Sequence, residues 1–112
     1  MSRFRKLPAF EKEFTKLVKK YKSLPQDLAD LETLLLTNPV GFGNNFVTIH
    51  QTEEIRIVKT RLACKSLRER SLRVIYAFHG DRIEFVFIEI YFKGTKANED
   101  RVRIEEYIKN AK

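Results

Sequence analysis

The first third of the chain carries its apolar residues at the three- and four-residue spacing of an amphipathic helix. Between residues 9 and 21 the apolar positions are Phe10, Phe14, Leu17, Val18 and Tyr21. Lysine and glutamate fill most of the intervening positions, and Pro8 suits the first turn of a helix. The pattern therefore predicts a first helix with one apolar face.

A second helical stripe follows after a short connection. Ser23 and Gln26 have the spacing of a capping box, and Pro25 is tolerated in a first turn. The apolar positions of this stripe are Leu24, Leu28, Leu31, Leu34 and Leu35. Asn38 precedes Pro39, and a residue before proline is disfavoured in helical geometry, so the helix should end there. The two helices are therefore predicted to form an antiparallel hairpin.

Beyond residues 41–53, which we expect to form a loop, the apolar pattern changes to a period of two. This alternation predicts strands over residues 54–63, 72–78 and 83–92. The last of them is apolar on both faces, which is typical of a central strand covered on both sides. His79 falls in the predicted tight turn between the second and third of these strands.

Two weaker signals complete the pattern. The residues through Leu7 have a weak strand signal, and a final helix is predicted from about residue 98 to 111, with Tyr107 on its apolar stripe. The element order (β)ααβββα predicts one α+β domain over residues 1–112. We expect an N-terminal helical hairpin packed on a small, mainly antiparallel β-sheet, with a short C-terminal helix.

Composition adds a strong bias in charge. The chain has 22 Lys and Arg against 15 Asp and Glu, a net charge of +7 and a sequence pI near 9.7. This favours a polyanionic partner such as nucleic acid, an acidic protein or an anionic membrane surface. The one cysteine, Cys64, excludes an internal disulfide, and two scattered histidines provide no zinc site. No signal-peptide core or membrane-spanning run is present, so a cytoplasmic protein without a membrane partner is expected.

The positive charge is concentrated in one part of the sequence. Between residues 56 and 73 there is a single acidic residue, Glu69, among seven basic ones. The basic residues are Arg56, Lys59, Arg61, Lys65, Arg68, Arg70 and Arg73. A charge run of this kind is usually a solvated face, so its arrangement on the strands decides whether it has a function.

Strand alternation brings three of these cations towards one surface. Lys59 and Arg61 point to the same side of their strand, and Arg73 lies on a neighbouring strand. If the two strands are antiparallel neighbours, the three cations converge, and Lys93 and Lys96 follow the next strand closely enough to join them. Guanidinium forks bind phosphate oxygens in pairs, and polyanion binding gains further from counterion release. The surface is therefore a candidate phosphate-binding site.

Two polar residues lie within the apolar third strand. By simple alternation, Glu89 and Tyr91 should share a face with Phe85 and Phe87. A carboxylate in an apolar row needs a partner, and Arg73 is the candidate that the sequence offers.

The segments that carry these cations resemble the RelE/ParE toxin superfamily of bacterial and archaeal toxin–antitoxin modules. The most telling are Lys59-Thr60-Arg61-Leu62, Arg73-Val74-Ile75-Tyr76, and Tyr91-Phe92-Lys93-Gly94 followed by Lys96 and Asn98-Glu99-Asp100. The likeness covers almost the whole chain, and the order and spacing of the segments carry it more than any single motif.

For RelE-like members the resemblance implies an endoribonuclease that cuts mRNA in the ribosomal A site and is neutralised by a cognate antitoxin. The ribose 2′-hydroxyl attacks the adjacent phosphate, so neither a metal nor a cofactor is implied. By position, Arg73 corresponds to the arginine that stabilises the transition state. Lys59 and Arg61 correspond to the basic pair beside the attacking hydroxyl and the phosphate, and Lys93 to the cation on the leaving-group side.

Further residues are assigned more loosely by the same resemblance. Candidate RNA-binding residues are Arg56, Lys65, Arg68, Arg70 and Lys96. Candidate orienting or proton-transfer residues are Glu89, Tyr91 and Glu99, the last in place of a C-terminal tyrosine used by some members. Two alternatives remain: a ParE-like inhibitor that acts by binding DNA gyrase, and an inactive relic that binds only an antitoxin or RNA.

Overall fold

The computed structural model describes residues 3–67 and 71–111, and within them the chain forms three helices and five strands. The helices are α1 (Pro8–Lys20), α2 (Leu24–Thr37) and α3 (Arg101–Asn110). The strands are β1 (Phe4–Lys6), β2 (Phe46–Gln51), β3 (Ile55–Ala63), β4 (Ser71–His79) and β5 (Glu84–Phe92). The predicted α+β class is confirmed, with an N-terminal helical hairpin, a mainly antiparallel sheet and a short C-terminal helix.

The sheet has the strand order β1-β5-β4-β3-β2. Strand β1 pairs with β5 in parallel, and every other neighbouring pair is antiparallel. Strand β5 lies between β1 and β4, and residues 85–91 are buried, as the two-sided apolar pattern predicted.

Three local predictions need correction. Residues 46–51, assigned to a loop, form the edge strand β2, whose bulge between Thr48 and His50 breaks the alternation that would have indicated a strand. Helix α3 begins only at Arg101, because the side chain of Asp100 caps it by accepting a hydrogen bond from the Arg103 N–H at 3.0 Å.

The third correction concerns the predicted capping box at the start of α2. Ser23 is the N-cap, but its hydroxyl donates to Asp27 at 2.7 Å and accepts from the Ser66 N–H at 2.9 Å, and it makes no bond to the N–H groups of the helix. Ser23 therefore fastens the turn after β3 to the start of α2. This contact joins residues 43 positions apart, and no local sequence pattern encodes it.

Each face of the sheet has its own apolar core. The helical hairpin covers one face, where Phe10 and Leu35 pack with Tyr76 and Phe87 of the sheet. Helix α3 covers the other face through Ile104, Tyr107 and Ile108, which pack with Ile55 and Ile57 of β3, Ile75 and Ala77 of β4, and Val86 and Ile88 of β5. The remaining half of this second face, toward residues 59–61 and 73, lies beyond the apolar contacts of α3.

A β-bulge decides which side chains reach this remaining half of the face. Ile75 of β4 is opposite Glu89, but the next residue, Tyr76, is opposite Phe87, so β5 contains one extra residue. An extra residue reverses the alternation beyond it. The prediction that Glu89 and Tyr91 share a face with Phe85 and Phe87 is therefore wrong. Tyr91 lies on the α3 face, directly opposite Arg73.

Candidate nucleic-acid interface

The half of the α3 face that lies beyond the apolar contacts of helix α3 carries the predicted cations of β3 and β4. In the antiparallel register Arg61 is directly opposite Arg73, and Lys59 is opposite Ile75. Directly opposed residues project from the same face of a sheet with their Cβ atoms about 5 Å apart. The strand register thus confirms that Lys59, Arg61 and Arg73 lie on the same face of the sheet, as predicted.

Arg73 is the most buried of these cations, with 8% of its surface exposed. Burial and the neighbouring Arg61 lower the pKa of Arg73, while Tyr91 acts in the opposite direction. An arginine remains protonated in spite of such a shift. A buried guanidinium beside a second, exposed one concentrates positive charge at this point of the sheet, which favours the approach of an anion.

Lys59 is held in an ion pair with Glu99, whose carboxylate oxygen lies 3.0 Å from the Lys59 ammonium. The Glu99 side chain is only 6% exposed. Burial alone would raise the pKa of Glu99, but hydrogen bonds from its own backbone N–H and from Lys59, together with the positive charges of Lys59 and Arg101, outweigh it, and the pKa lies below its usual value. Glu99 is therefore ionised at neutral pH and stands between the cationic surface and helix α3.

Glu89 is fully buried and accepts hydrogen bonds from two groups of the segment that follows β5. One oxygen is in close contact with the Lys96 ammonium, and the other accepts from the Asp100 N–H at 2.8 Å. The sequence placed Lys96 among RNA-binding residues but did not indicate this pair. Its effect is to fold the 93–100 segment back onto the sheet, which brings Glu99 to Lys59.

Tyr91 completes the site. It is 5% exposed, and its hydroxyl is the buried side-chain polar atom for which the described residues provide no hydrogen-bond partner. Burial, Glu99 and Glu89 raise the pKa of Tyr91 to about 12. The Lys96 ammonium lies 5.5 Å from the centre of its ring. Tyr91 therefore stays protonated at neutral pH and can donate a hydrogen bond or a proton.

The other predicted site residues lie elsewhere or make no contact with this group. Arg56 projects from the opposite face of β3, as alternation along the strand predicts, and its charge acts on Tyr76 on the hairpin side, so it does not share a face with Lys59 and Arg61. Lys65 is exposed and lies 4.0 Å from Asp30 of α2. Lys93 is exposed in the turn after β5, and the described residues include no partner for it. Arg68 and Arg70 lie outside the described residues.

His79 is a polar residue whose role the sequence did not indicate. Predicted as a turn residue, it is the last residue of β4, is 2% exposed, and is in close hydrogen-bonding contact with the Tyr107 hydroxyl of α3. The pair lies at the opposite end of β4 from Arg73 and helps to hold α3 on the sheet. Since 28 residues separate the two, no sequence motif could have found it.

No family model and no curated protein matches this chain. In residues 3–67 and 71–111, no cluster of three or more His, Cys, Asp or Glu side chains is arranged to hold a metal ion. None of the helices in the same ranges combines the length and apolarity needed to cross a membrane.

Proposed function

We propose that this protein is the toxin of a type II toxin–antitoxin module and acts as a ribosome-dependent mRNA endoribonuclease of the RelE kind. The observation that carries the proposal is the pairing of the exposed Arg61 with the buried Arg73 on one sheet face, beside Lys59 and the Tyr91 hydroxyl. Two adjacent guanidinium groups on rigid strands, one exposed and one buried, suit a phosphodiester.

The proposed reaction is an internal transfer of the phosphodiester. The ribose 2′-oxygen bonds to the adjacent phosphorus, the bond to the 5′-oxygen of the next nucleotide breaks, and the products are a 2′,3′-cyclic phosphate and a 5′-hydroxyl. Arg73 and Arg61 donate hydrogen bonds to the phosphoryl oxygens as negative charge builds up. This is electrostatic stabilisation by groups that the sheet has already oriented.

The proton must leave the 2′-hydroxyl and another must reach the leaving oxygen. Glu99 and Tyr91 differ in their protonation state at neutral pH, so the two can take opposite roles in proton transfer. Glu99 is ionised and can accept a proton, with Lys59 orienting it. Tyr91 is protonated and can donate one. Glu89 is already bonded to Lys96 and Asp100, so we assign it an orienting role.

The proposed partners follow from the charge. A net charge of +7 favours mRNA in the ribosomal A site as substrate and an acidic antitoxin as inhibitor, both in the cytoplasm. The same surface would then be the one that the antitoxin neutralises.

The test is to express the protein in cells, map mRNA 5′ ends, and repeat with Arg73→Ala. Loss of one donor to a developing oxyanion costs about 3–4 kcal/mol, so cleavage should fall roughly 100-fold or more. Arg73→Lys, which keeps the charge without the fork, should recover only part of the activity. Arg82→Ala is the matched control, because it removes an exposed arginine from the turn between β4 and β5, at the end of β4 away from Arg73, and should leave cleavage unchanged.

Codon-phased cuts that disappear with Arg73→Ala support the proposal. Growth arrest with intact mRNA and altered DNA supercoiling would replace it by gyrase inhibition. Absence of arrest would indicate an inactive protein. Circular dichroism melts of the purified variants exclude loss of fold as the cause of any change.

A further inference from the structure

An open groove lies between the edge strand β2 and helix α3, next to the cationic surface. Its volume is 420 Å³, within the range of about 300–1,000 Å³ that small-molecule sites occupy. Ile49 of β2 and Ile104 and Ile108 of α3 supply its apolar side chains. The groove therefore has the volume to accommodate a flat ring system and offers it an apolar surface.

Polar groups surround these isoleucines. The exposed imidazole of His50 is on the β2 side, and the exposed carboxylate of Glu105 is on the α3 side. Arg101 and Lys109, near the two ends of α3, supply one cation each. Glu99 is shared by the groove and the cationic surface, because the same side chain lines the groove and binds Lys59.

The charge balance of the groove indicates what kind of group would enter it. Two cations, Arg101 and Lys109, face two carboxylates, Glu99 and Glu105, so the groove has no excess of positive charge with which to hold several phosphates. An uncharged aromatic ring carrying a single phosphate fits this balance. Nucleobases stack on histidine and on apolar side chains, and single-stranded RNA is read by such contacts together with hydrogen bonds to base edges.

The position of Glu105 narrows the choice of base. A carboxylate accepts hydrogen bonds only, and it accepts two in parallel when adjacent donors face it. Among the RNA bases, guanine presents two adjacent N–H donors on its Watson–Crick edge. We propose that this groove binds a guanine base of the RNA, one that neighbours the phosphate held by Arg61 and Arg73. The identity of the macromolecule rests on the function proposed above, whereas the nucleobase site can be tested without it.

The first experiment is an NMR titration of the purified protein with 5′-GMP, 5′-IMP and 5′-AMP. GMP should shift the methyl signals of Ile49, Ile104 and Ile108. IMP, which lacks the 2-amino donor, should bind about 5- to 10-fold more weakly, and so should GMP to the Glu105→Gln variant. His50→Ala should weaken GMP binding about 10-fold through lost stacking.

Glu106→Gln is the matched control for Glu105→Gln. It makes the same change in charge at the adjacent residue of α3, but Glu106 lines the cavity on the other side of the helix, together with Tyr107 and His79. If the two variants weakened GMP binding equally, the loss would be due to the change in net charge alone, and the proposal would be overturned. GMP shifts that leave the three isoleucines unaffected would overturn it as well.

The second experiment separates this proposal from the proposed nuclease activity. In the 5′-end maps, Glu105→Gln should lower the preference for guanine beside the cut by about 5-fold, while Arg73→Ala abolishes cutting. Cutting that depends on Arg73 but keeps its base preference in Glu105→Gln would overturn the groove proposal alone. GMP binding in the groove of a protein that cuts no RNA would support a nucleotide site and contradict the nuclease.

Discussion

The ion pair between Glu13 of α1 and Arg103 of α3 joins the two helical layers across one edge of the sheet. The two terminal nitrogens of Arg103 donate to the two carboxylate oxygens of Glu13, each at 2.9 Å, and one of them also donates to the Ile88 carbonyl at 2.9 Å. Glu13 in turn accepts from the Ile90 N–H at 3.2 Å. The pairing of β1 with β5 ends near Phe87, so these side chains take over the hydrogen bonding of the β5 edge beside the bulge.

The loss from Arg103→Met can be worked out from these contacts. The substitution removes three charge-assisted hydrogen bonds, each worth roughly 1.5–3 kcal/mol when isolated. Two effects reduce the sum. The side chains of Arg103 and Glu13 are 21% and 26% exposed, so solvent weakens their hydrogen bonds. The ion pair also restricts the rotamers of the arginine, and its removal returns up to about 2 kcal/mol of side-chain entropy. Because Glu13 also loses its cation in a largely buried place, we expect a net loss of about 3 kcal/mol.

Urea denaturation followed by circular dichroism measures this loss. With a denaturant slope of about 2 kcal/mol per molar, the midpoint should fall by about 1.5 M. Glu13→Gln and the double variant complete a thermodynamic cycle, in which the coupling energy should be about 1.5 kcal/mol. The control is Arg101→Met, whose arginine is 81% exposed and pairs with Glu99 at 3.6 Å, and which should cost less than about 0.5 kcal/mol. A midpoint for Arg103→Met no lower than that of the control would refute the reasoning.

Two further predictions concern stability. The pKa of His79 is lowered, chiefly by burial, so the unfolded chain binds this proton more strongly, and the free energy of unfolding should fall as the pH drops below about 6.5. Unfolding measured at several pH values should show this slope in the wild type and little of it in His79→Phe, and an equal slope in both would contradict the assignment. Gly41→Ala forces alanine to a φ of +71° and places its Cβ against the ring of Phe46, so it should cost about 2 kcal/mol or more. Gly43→Ala has a φ of +73° but nothing within 4 Å, so it should cost only about 1 kcal/mol, and equal midpoints for the two would rule out the clash.

The basic surface could be predicted from the sequence in part. Lys59, Arg61 and Arg73 lie on the predicted face because side-chain alternation within a regular strand is a local property, and two successive strands joined by a short connection pair in antiparallel fashion. The partners of these residues could not be predicted in the same way. Glu99 is 40 residues from Lys59, and its approach depends on the turn that Lys96 and Glu89 fasten to the sheet.

The apolar periodicity of the sequence by itself determined the three helices, the strands β3 to β5 and the α+β class. Each of these depends on spacing within about ten residues and on burial of one face or two. The edge strand β2 escaped prediction because four of its six residues are exposed and a bulge interrupts its pattern. Only the tertiary structure decided the parallel addition of β1 to β5, the bulge at residues 87–89 and the side of the sheet on which Glu89 and Tyr91 lie. The physical reason is that a single extra residue in one strand exchanges the two faces beyond it, and pairing with the neighbouring strand, rather than local preference, sets where that residue is accommodated.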